Sequence, residues 1–426
     1  MADTALRLTS LVEELFGSPF PLRVRTWDGS ESGPPEGPVL VVRHRRALRR
    51  LLWRPGELGL ARGWVAGELD VEGDLYTAME RLVAYGAGMP GSLTPRDPKV
   101  RAGLRALTGL AGALPPPAPP AEEARRRGGL SHTRRRDRAA ISHHYDVGND
   151  FYELVLGPSM VYSCAYWGEP DGRESLEDAQ RAKLDLVCRK LALTEDTRLL
   201  DVGCGWGSLA IHAAREYGAR VTGITLSREQ AAYARKRIAE AGLTDRIDIR
   251  VQDYRDVRDE PYDAIASVGM AEHVGEVRYG EYALRLHRLL RPGGRLLNHQ
   301  IARRPEPGTS YHVDAFIDRY VFPDGELSPL GTTVAALEEA GLEVRDVESI
   351  REHYGLTLRR WVGRLEAEWE RAVALTSPGR ARVWRLYMAA SALAFEANRI
   401  GVNQVLAVRT GPDGASGLPL RTRTWN

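Results

Sequence analysis

Five short stretches carry the side chains able to do chemistry: VYSCAYW at 161–167, GCGWG at 203–207, MAEHVG at 270–275, NHQI at 298–301 and REHYG at 351–355. In the first, Cys164 stands among Tyr162, Tyr166 and Trp167 and reads as a nucleophile, a metal ligand or neither. The choice depends on what the glycine-rich loop binds. Gly203, Gly205 and Gly207 permit a tight turn and close approach of the backbone to a ligand. A helix following them adds exposed N–H donors. The remaining groups have plain readings as well. His299 fits a hydrogen-bonded histidine at a strand end, Glu272 and His273 a helix start, and Tyr354, Tyr320 and Phe322 core aromatics. His143 and His144 have neither H-E-x-x-H spacing nor cysteine partners, so no metal site is expected.

The elements that must hold these residues alternate from about residue 140. RLLDVG, RVTGITLS, RIDIRVQD, YDAIASVGM and RLLNHQIA read as strands. SLAIHAAREYG, REQAAYARKRIAEAG and YALRLHRLLRPGG read as the helices between them. Such alternation predicts an α/β fold, a mainly parallel sheet with helices on both faces. From Gly331 to about Arg399 the chain reads as mostly helical. Residues 1 to about 110 read as a smaller mixed α/β region, with TALRLTSLVEELF and DLYTAMERLVAY helical and LRVRTWDG and PVLVVRH extended. Between the two lies LPPPAPPAEEARRRGG, whose prolines stop a helix and whose charges stay in water. The expected division is an N-terminal domain at 1–113, a Pro/Arg-rich linker at 114–139 and a catalytic domain at 140–426.

The chain's 426 residues carry 59 Lys+Arg against 57 Asp+Glu, so overall charge selects no partner. Locally, RHRRALRRLLWR from Arg43 holds six arginines and no acid, and residues 121–140 hold seven arginines against Glu122, Glu123 and Asp137. Such runs are solvated faces or contacts to phosphates on a membrane or nucleic acid. Cys164, Cys188 and Cys204 are odd in number and lack CxxC spacing, which fits a reducing cytoplasm. No apolar run approaches the ~18 residues of a membrane helix, so any contact with lipid is expected from the surface.

The loop itself excludes two nucleotides. An NAD site places its third glycine later and an acid about 20 residues on, and a P-loop has a lysine; both are missing. D-x-G-x-G-x-G, from Asp201 to Gly207, resembles instead the S-adenosylmethionine (SAM) loop of Rossmann-like methyltransferases, as does RPGG at 291–294. With ISHHYDVGNDFYELVLGPSMVYSCAYW, LLDVGCGWG, GITLS followed by Gln230, SVGMAEHVG and REHYGLTLRRW in that order, residues 140 to about 410 resemble the cyclopropane fatty acid synthase family. The N-terminal region is compatible with that family's smaller domain.

The resemblance implies a SAM site at Tyr145, Ser163, Asp201, Gly203, Gly205, Thr225, Leu226, Gln230, Asp253 and Tyr254, with Asp253 reaching the adenine amino group. It implies a bicarbonate ion beside the reacting carbon, met by Cys164 and Ile301 through backbone groups and by Glu272, His299 and Tyr354 through side chains. Cys164 would then be neither nucleophile nor metal ligand. The implied reaction moves a methyl group from SAM to the cis double bond of an unsaturated phospholipid acyl chain. The resulting cation needs a dry pocket, aromatic faces (Tyr166, Trp167, Tyr320 and Phe322 are candidates) and a base to close a cyclopropane. A proton shared between Glu272 and the bicarbonate offsets the cost of placing an anion beside a carboxylate. Loss of a different proton gives a methyl- or methylene-branched chain. NHQI stands where better-known members have H-T-I, so Asn298 and Gln300 are expected to alter the surroundings of His299 and to bear on the product. A SAM methyltransferase for a soluble small molecule is the more distant alternative. The arginine runs near Arg43 and Arg125, with Arg62 and Trp64, are the candidate membrane-docking residues. A peripheral location at the inner face of the cell membrane, a homodimer and no nucleic-acid partner are implied.

Overall fold

A computed structural model describes residues 3–88, 97–112, 114–124, 147–169, 173–305, 315–323, 325–421, 423 and 425. The chain forms two compact units. The first comprises Met1–Arg126, Asp314–Val321 and Trp369–Leu393; the second comprises Arg127–Val313, Phe322–Glu368 and Ala394–Asn426. Two pieces from beyond residue 300 therefore group with the N-terminal region, which differs from the contiguous division at 113 and 139. Nor is 114–124 a free linker. Arg50 Nη1 donates to the Ala118 carbonyl at 2.9 Å, and Arg62 grips both Glu123 carboxylate oxygens at 2.7 Å.

The first unit contains a four-stranded sheet of β1 (Arg23–Thr26), β2 (Glu31–Ser32), β3 (Val39–Val42) and β4 (Leu69–Glu72), in the order β2-β1-β3-β4. Alternate residues Val24 and Val42 enter a core with Leu48, Leu69 and Leu110. The arginine run forms the helix Arg46–Trp53, whose Arg50 is buried against Glu68 at 2.7 Å.

The second unit is built on seven strands: β5 (Arg198–Val202), β6 (Arg220–Thr225), β7 (Ile247–Val251), β8 (Tyr262–Val268), β9 (Leu290–Arg303), β10 (Glu343–Ser349) and β11 (Ile400–Val408). Their order is β10-β11-β9-β8-β5-β6-β7. From β7 to β9 all neighbours are parallel; β11 pairs antiparallel to both β9 and β10. The helical reading of 331–399 is interrupted by β10, and β11 lies past its end. β5 connects onward to β6 while its other neighbour is β8, so the order reverses between β5 and β8. Ligands of open α/β sheets bind at the carboxyl ends of strands at such a point. GCGWG follows β5 there, and MAEHVG follows β8.

β9 explains the NHQI stretch. Successive side chains of a strand point to opposite faces. Asn298 and Gln300 therefore face away from His299 and Ile301, into a buried polar chain. The Tyr282 hydroxyl meets Ser267 Oγ at 2.6 Å and Asn298 Oδ1 at 3.0 Å. Asn298 Nδ2 donates to Gln300 Oε1, and Gln300 Nε2 to Thr333 Oγ1, each at 2.6 Å. These amides join the sheet to the helices Tyr279–Leu289 and Leu330–Glu339 rather than lining the surroundings of the histidine. Gln300→Ala removes the amide that Asn298 Nδ2 and Thr333 Oγ1 are bonded to, so stability should fall by about 1–3 kcal/mol. A lowered midpoint in urea denaturation checks this; an unchanged midpoint refutes the structural role.

Candidate active site

The loop after β5 is shaped by positive backbone angles: φ is 82° at Gly203, 53° at Gly205 and 79° at Gly207, a region that disfavours side chains. The amides of Gly203 and Cys204 both donate to the Ile224 carbonyl at 3.0 Å, tying the loop to β6. A Cβ at Gly205 would enter open space, whereas one at Gly207 would stand 3.2 Å from Ala234 Cβ. The loop feeds the helix Ser208–Tyr217 and borders one cavity. Ser163, Asp201, Gly203, Gly205, Thr225, Leu226, Gln230, Asp253 and Tyr254 all line it. Tyr145 lies outside the described residues.

Within this cavity Thr225 Oγ1 donates to Gln230 Oε1 at 2.8 Å, and Gln230 N donates to Ser227 Oγ at 3.1 Å. These bonds fix the turn after β6. Asp253 is more committed than expected: Arg255 takes both its carboxylate oxygens, Nε at 2.8 Å and Nη2 at 2.6 Å. Any adenine contact must share those oxygens.

Lys183 also lines the cavity and was missed in the sequence. It is only 2% exposed and donates to Ser163 Oγ at 2.8 Å. Burial lowers its pKa to about 8, while Cys164 and Asp201 act to raise it. Asp201 is equally buried, with Oδ2 lacking a hydrogen-bond partner; desolvation pushes its pKa up to about 7 against the pull of Lys183. The signal was the helix Leu176–Lys190 itself: Ala179, Lys183 and Val187 share its buried face at i, i+4 spacing.

The second constellation adjoins this cavity through Gly269, Met270 and His273, which line it. Gly269 N donates to the His299 carbonyl at 2.9 Å. Glu272 sits in a single tight turn, Ala271–His273, not in a longer helix. Its Oε1 accepts from Ile301 N at 2.7 Å, so the Ile301 amide expected to meet an anion is already occupied by carboxylate. Glu272 Oε2 and His299 Nε2 are both buried without hydrogen-bond partners. Desolvation pushes Glu272 up to about 7 and His299 down to about 3, so His299 is neutral across the ordinary range. The Tyr354 ring packs between Phe395 at 4.6 Å and Trp361 at 6.1 Å between centroids. Cys164 is fully buried; its thiol donates to the Ala165 carbonyl at 3.2 Å, and burial raises its pKa well above normal. A thiol kept protonated this way is no nucleophile. Cys164, Glu272, His299, Ile301 and Tyr354 do not line the SAM-loop cavity directly.

The expected cation-facing aromatics are differently employed. Tyr166 stacks on His353 at 4.8 Å, and Trp167 lies under the Arg360 guanidinium at 5.7 Å. Tyr320 belongs to the first unit, where its hydroxyl donates to Glu123 at 3.0 Å. Phe322 packs edge-on against His273. The aromatics lining the cavity are instead Tyr162, Trp206 and Tyr254.

Residues 132–405 match the family model described as mycolic acid cyclopropane synthetase. A probable fatty acid methyltransferase of Mycobacterium tuberculosis is 44% identical over 416 residues, 94% of each chain. The cyclopropane-fatty-acyl-phospholipid synthase of Escherichia coli K12 is 40% identical over 271 residues, covering 64% of this chain and 68% of that one. Among solved structures, the mycolic acid cyclopropane synthase CmaA1, complexed with SAH and CTAB, superposes with a TM-score of 0.59 at 33% identity, over 63% of this chain and 97% of that one. With its glycine loop at the switch point of a mainly parallel sheet, the chain belongs to the mycolic acid cyclopropane synthetase family of SAM-dependent methyltransferases.

Proposed function

We propose that the protein transfers a one-carbon unit from SAM to the cis double bond of an unsaturated phospholipid acyl chain and forms a cyclopropane. The observation that carries this reading is the pair of buried, partnerless polar atoms, Glu272 Oε2 and His299 Nε2, next to residues that border the SAM-loop cavity. Unpaired buried polar atoms are costly and mark a place for a ligand.

The residues present fit SAM. Gly205 leaves room for close backbone approach, and Asp201 Oδ2 offers an open acceptor to its ammonium group. When bound, SAM supplies an electrophilic methyl group on a sulfonium. The chain's own work is to keep the acceptor carbon dry and to place proton-handling groups beside it. Glu272 Oε2 and His299 Nε2 also fit a bicarbonate ion, which Tyr354 would complete as the third side chain. Glu272 would hold that ion by a shared proton, and the ion, when bound, would supply the base for the proton lost from the acyl chain. A second reading, methyl branching of the same double bond, is favoured by the near-full-length match to a probable fatty acid methyltransferase.

Among the described residues no helix is long and apolar enough to cross a membrane; the reading proposed here has the acyl chain reached from the bilayer surface. The arginine run offers less charge for docking than its sequence promises. Arg43 pairs with Asp70, Arg46 and Arg50 with Glu68, and Arg45 covers Trp27. Arg62 is bound to Glu123 and Trp64 is core, while Arg125 lies outside the described residues. Exposed Trp53 and Leu114, beside the exposed Arg54, form the docking patch we propose for anionic lipid.

Three outcomes follow. With SAM and vesicles of an oleoyl anionic phospholipid, the recovered acyl chains should gain one CH2 and show upfield ring protons by NMR. Olefinic methylene protons, or a saturated methyl branch, would establish the second reading, and unaltered lipid despite SAM binding would overturn both. Glu272→Gln should cut kcat by about 10²–10³-fold with the dissociation constant for S-adenosylhomocysteine unchanged. Because Glu272 in the free enzyme carries its proton below about pH 7, wild-type kcat/KM should fall as pH rises through that value, and the variant should lose this limb. Trp53→Ser combined with Arg54→Glu should weaken sedimentation with anionic vesicles about tenfold, at about 1 kcal/mol per basic contact; undiminished binding moves the docking surface elsewhere.

A further inference from the structure

His299 is held from behind by a buried relay. Gln404 stands opposite it in the β9–β11 pairing, and Gln404 Nε2 lies 3.3 Å from His299 Nδ1. An amide and an imidazole each have two orientations or tautomers, so this contact alone does not say where the ring proton is. Lys190 removes the ambiguity. Its Nζ donates to Gln404 Oε1 at 2.8 Å. An ammonium has donors and no acceptor, so the amide oxygen must face Lys190 and the NH2 must face the ring. An NH2 group only donates, so Nδ1 must be the bare acceptor and the ring proton must sit on Nε2. Nε2 is the atom buried without a partner.

Lys190 is fixed in turn. It is fully buried, ion-paired with Glu348, and lies over the Trp425 ring at 5.8 Å. Tyr166 donates to the other Glu348 oxygen at 3.2 Å. Gln404 is also fully buried, so water does not compete for its amide. Desolvation, reinforced by Lys183 and Lys190, opposes a second proton on His299.

We infer that Lys190 and Gln404 are positioning residues that lock His299 in its Nε2–H tautomer, so that it presents a hydrogen-bond donor, not a base, to the reacting centre. The tautomer stands on the relay alone; its catalytic meaning rests on the role proposed above for His299.

The test is nitrogen NMR of the full-length protein carrying 15N-histidine. Ten histidines contribute, and the His299 ring is assigned by its loss in His299→Gln. Wild type should show a bare Nδ1 and a protonated Nε2. Gln404→Glu puts an acceptor behind the ring, so the proton should appear on Nδ1. In that variant kcat should fall about 10–100-fold, as for other partners that orient a functional histidine, with S-adenosylhomocysteine affinity unchanged. Lys190→Met frees the amide to turn over and should give a mixture of tautomers. A wild-type ring protonated on Nδ1, or a tautomer indifferent to Gln404→Glu, would overturn the inference. The wild-type spectrum decides even if a variant does not fold. The expected tautomer in a protein that leaves lipid unaltered would refute the proposed reaction and leave the relay standing.

Discussion

The two-residue period of β9 is the constraint on which the site depends. One face of this strand carries the His299 ring beside Gln404, and the Ile301 backbone amide holds Glu272; the other face buries Asn298 and Gln300 against Tyr282 and Thr333. A slip of one residue would exchange the two sets and strand amides and imidazole among the wrong partners. The register is held from both sides. β11 pairs with β9 without interruption from Ile400 opposite Arg303 to Val408 opposite Arg295. On the other edge Val268 of β8 is paired with His299 itself. The polar chain on the far face thus helps to keep the histidine on the near one.

Burial sets the electrostatics. Asp201, Glu272, Lys183 and His299 all shift toward their neutral forms, and desolvation is the largest cause in each. Their neighbours divide the outcome. Asp201 and Lys183 temper one another, each limiting how far burial drives its partner toward the neutral form. His299 instead feels two lysines and is driven further toward neutrality. Asp201 Oδ2 is left at this cavity as a buried acceptor without a hydrogen-bond partner.

Much of this was legible from local pattern. The strand–helix alternation, the glycine loop and the turn after β6 are contiguous signals, and each lies where its residues place it. What escaped is long-range. IGVNQVLAV is an apolar, Val-rich run, but nothing local says that β11 pairs with β9, about a hundred positions earlier. Gln404 and Lys190 consequently had no visible connection to His299. The two compact units differ from a contiguous division for the same reason: residues 314–321 and 369–393 group with the first unit through tertiary packing. In NHQI the pleat of the strand, a period the motif itself does not display, turns Gln300 away from the histidine beside it.

The relay bears on how the proposed cation loses its proton. With Nδ1 accepting from Gln404, His299 offers only an N–H toward the reacting centre. Cys164 is a protonated thiol already bonded to a carbonyl. Glu272 has spent one oxygen on the Ile301 amide, and burial raises the proton affinity of the other. Protonated, that oxygen is a second donor aimed away from the amide. Two donors in a dry site are complementary to a small oxyanion, not to another cation. Such an ion brings the basicity that these three side chains do not present. In the proposed reaction the position of that ion would decide which hydrogen of the acyl cation it could reach, so ring closure and branching would differ by its placement. His299 and Glu272, aimed by Gln404 and the Ile301 amide, are the residues we propose would set it; Asn298 and Gln300 lie on the far side of the strand.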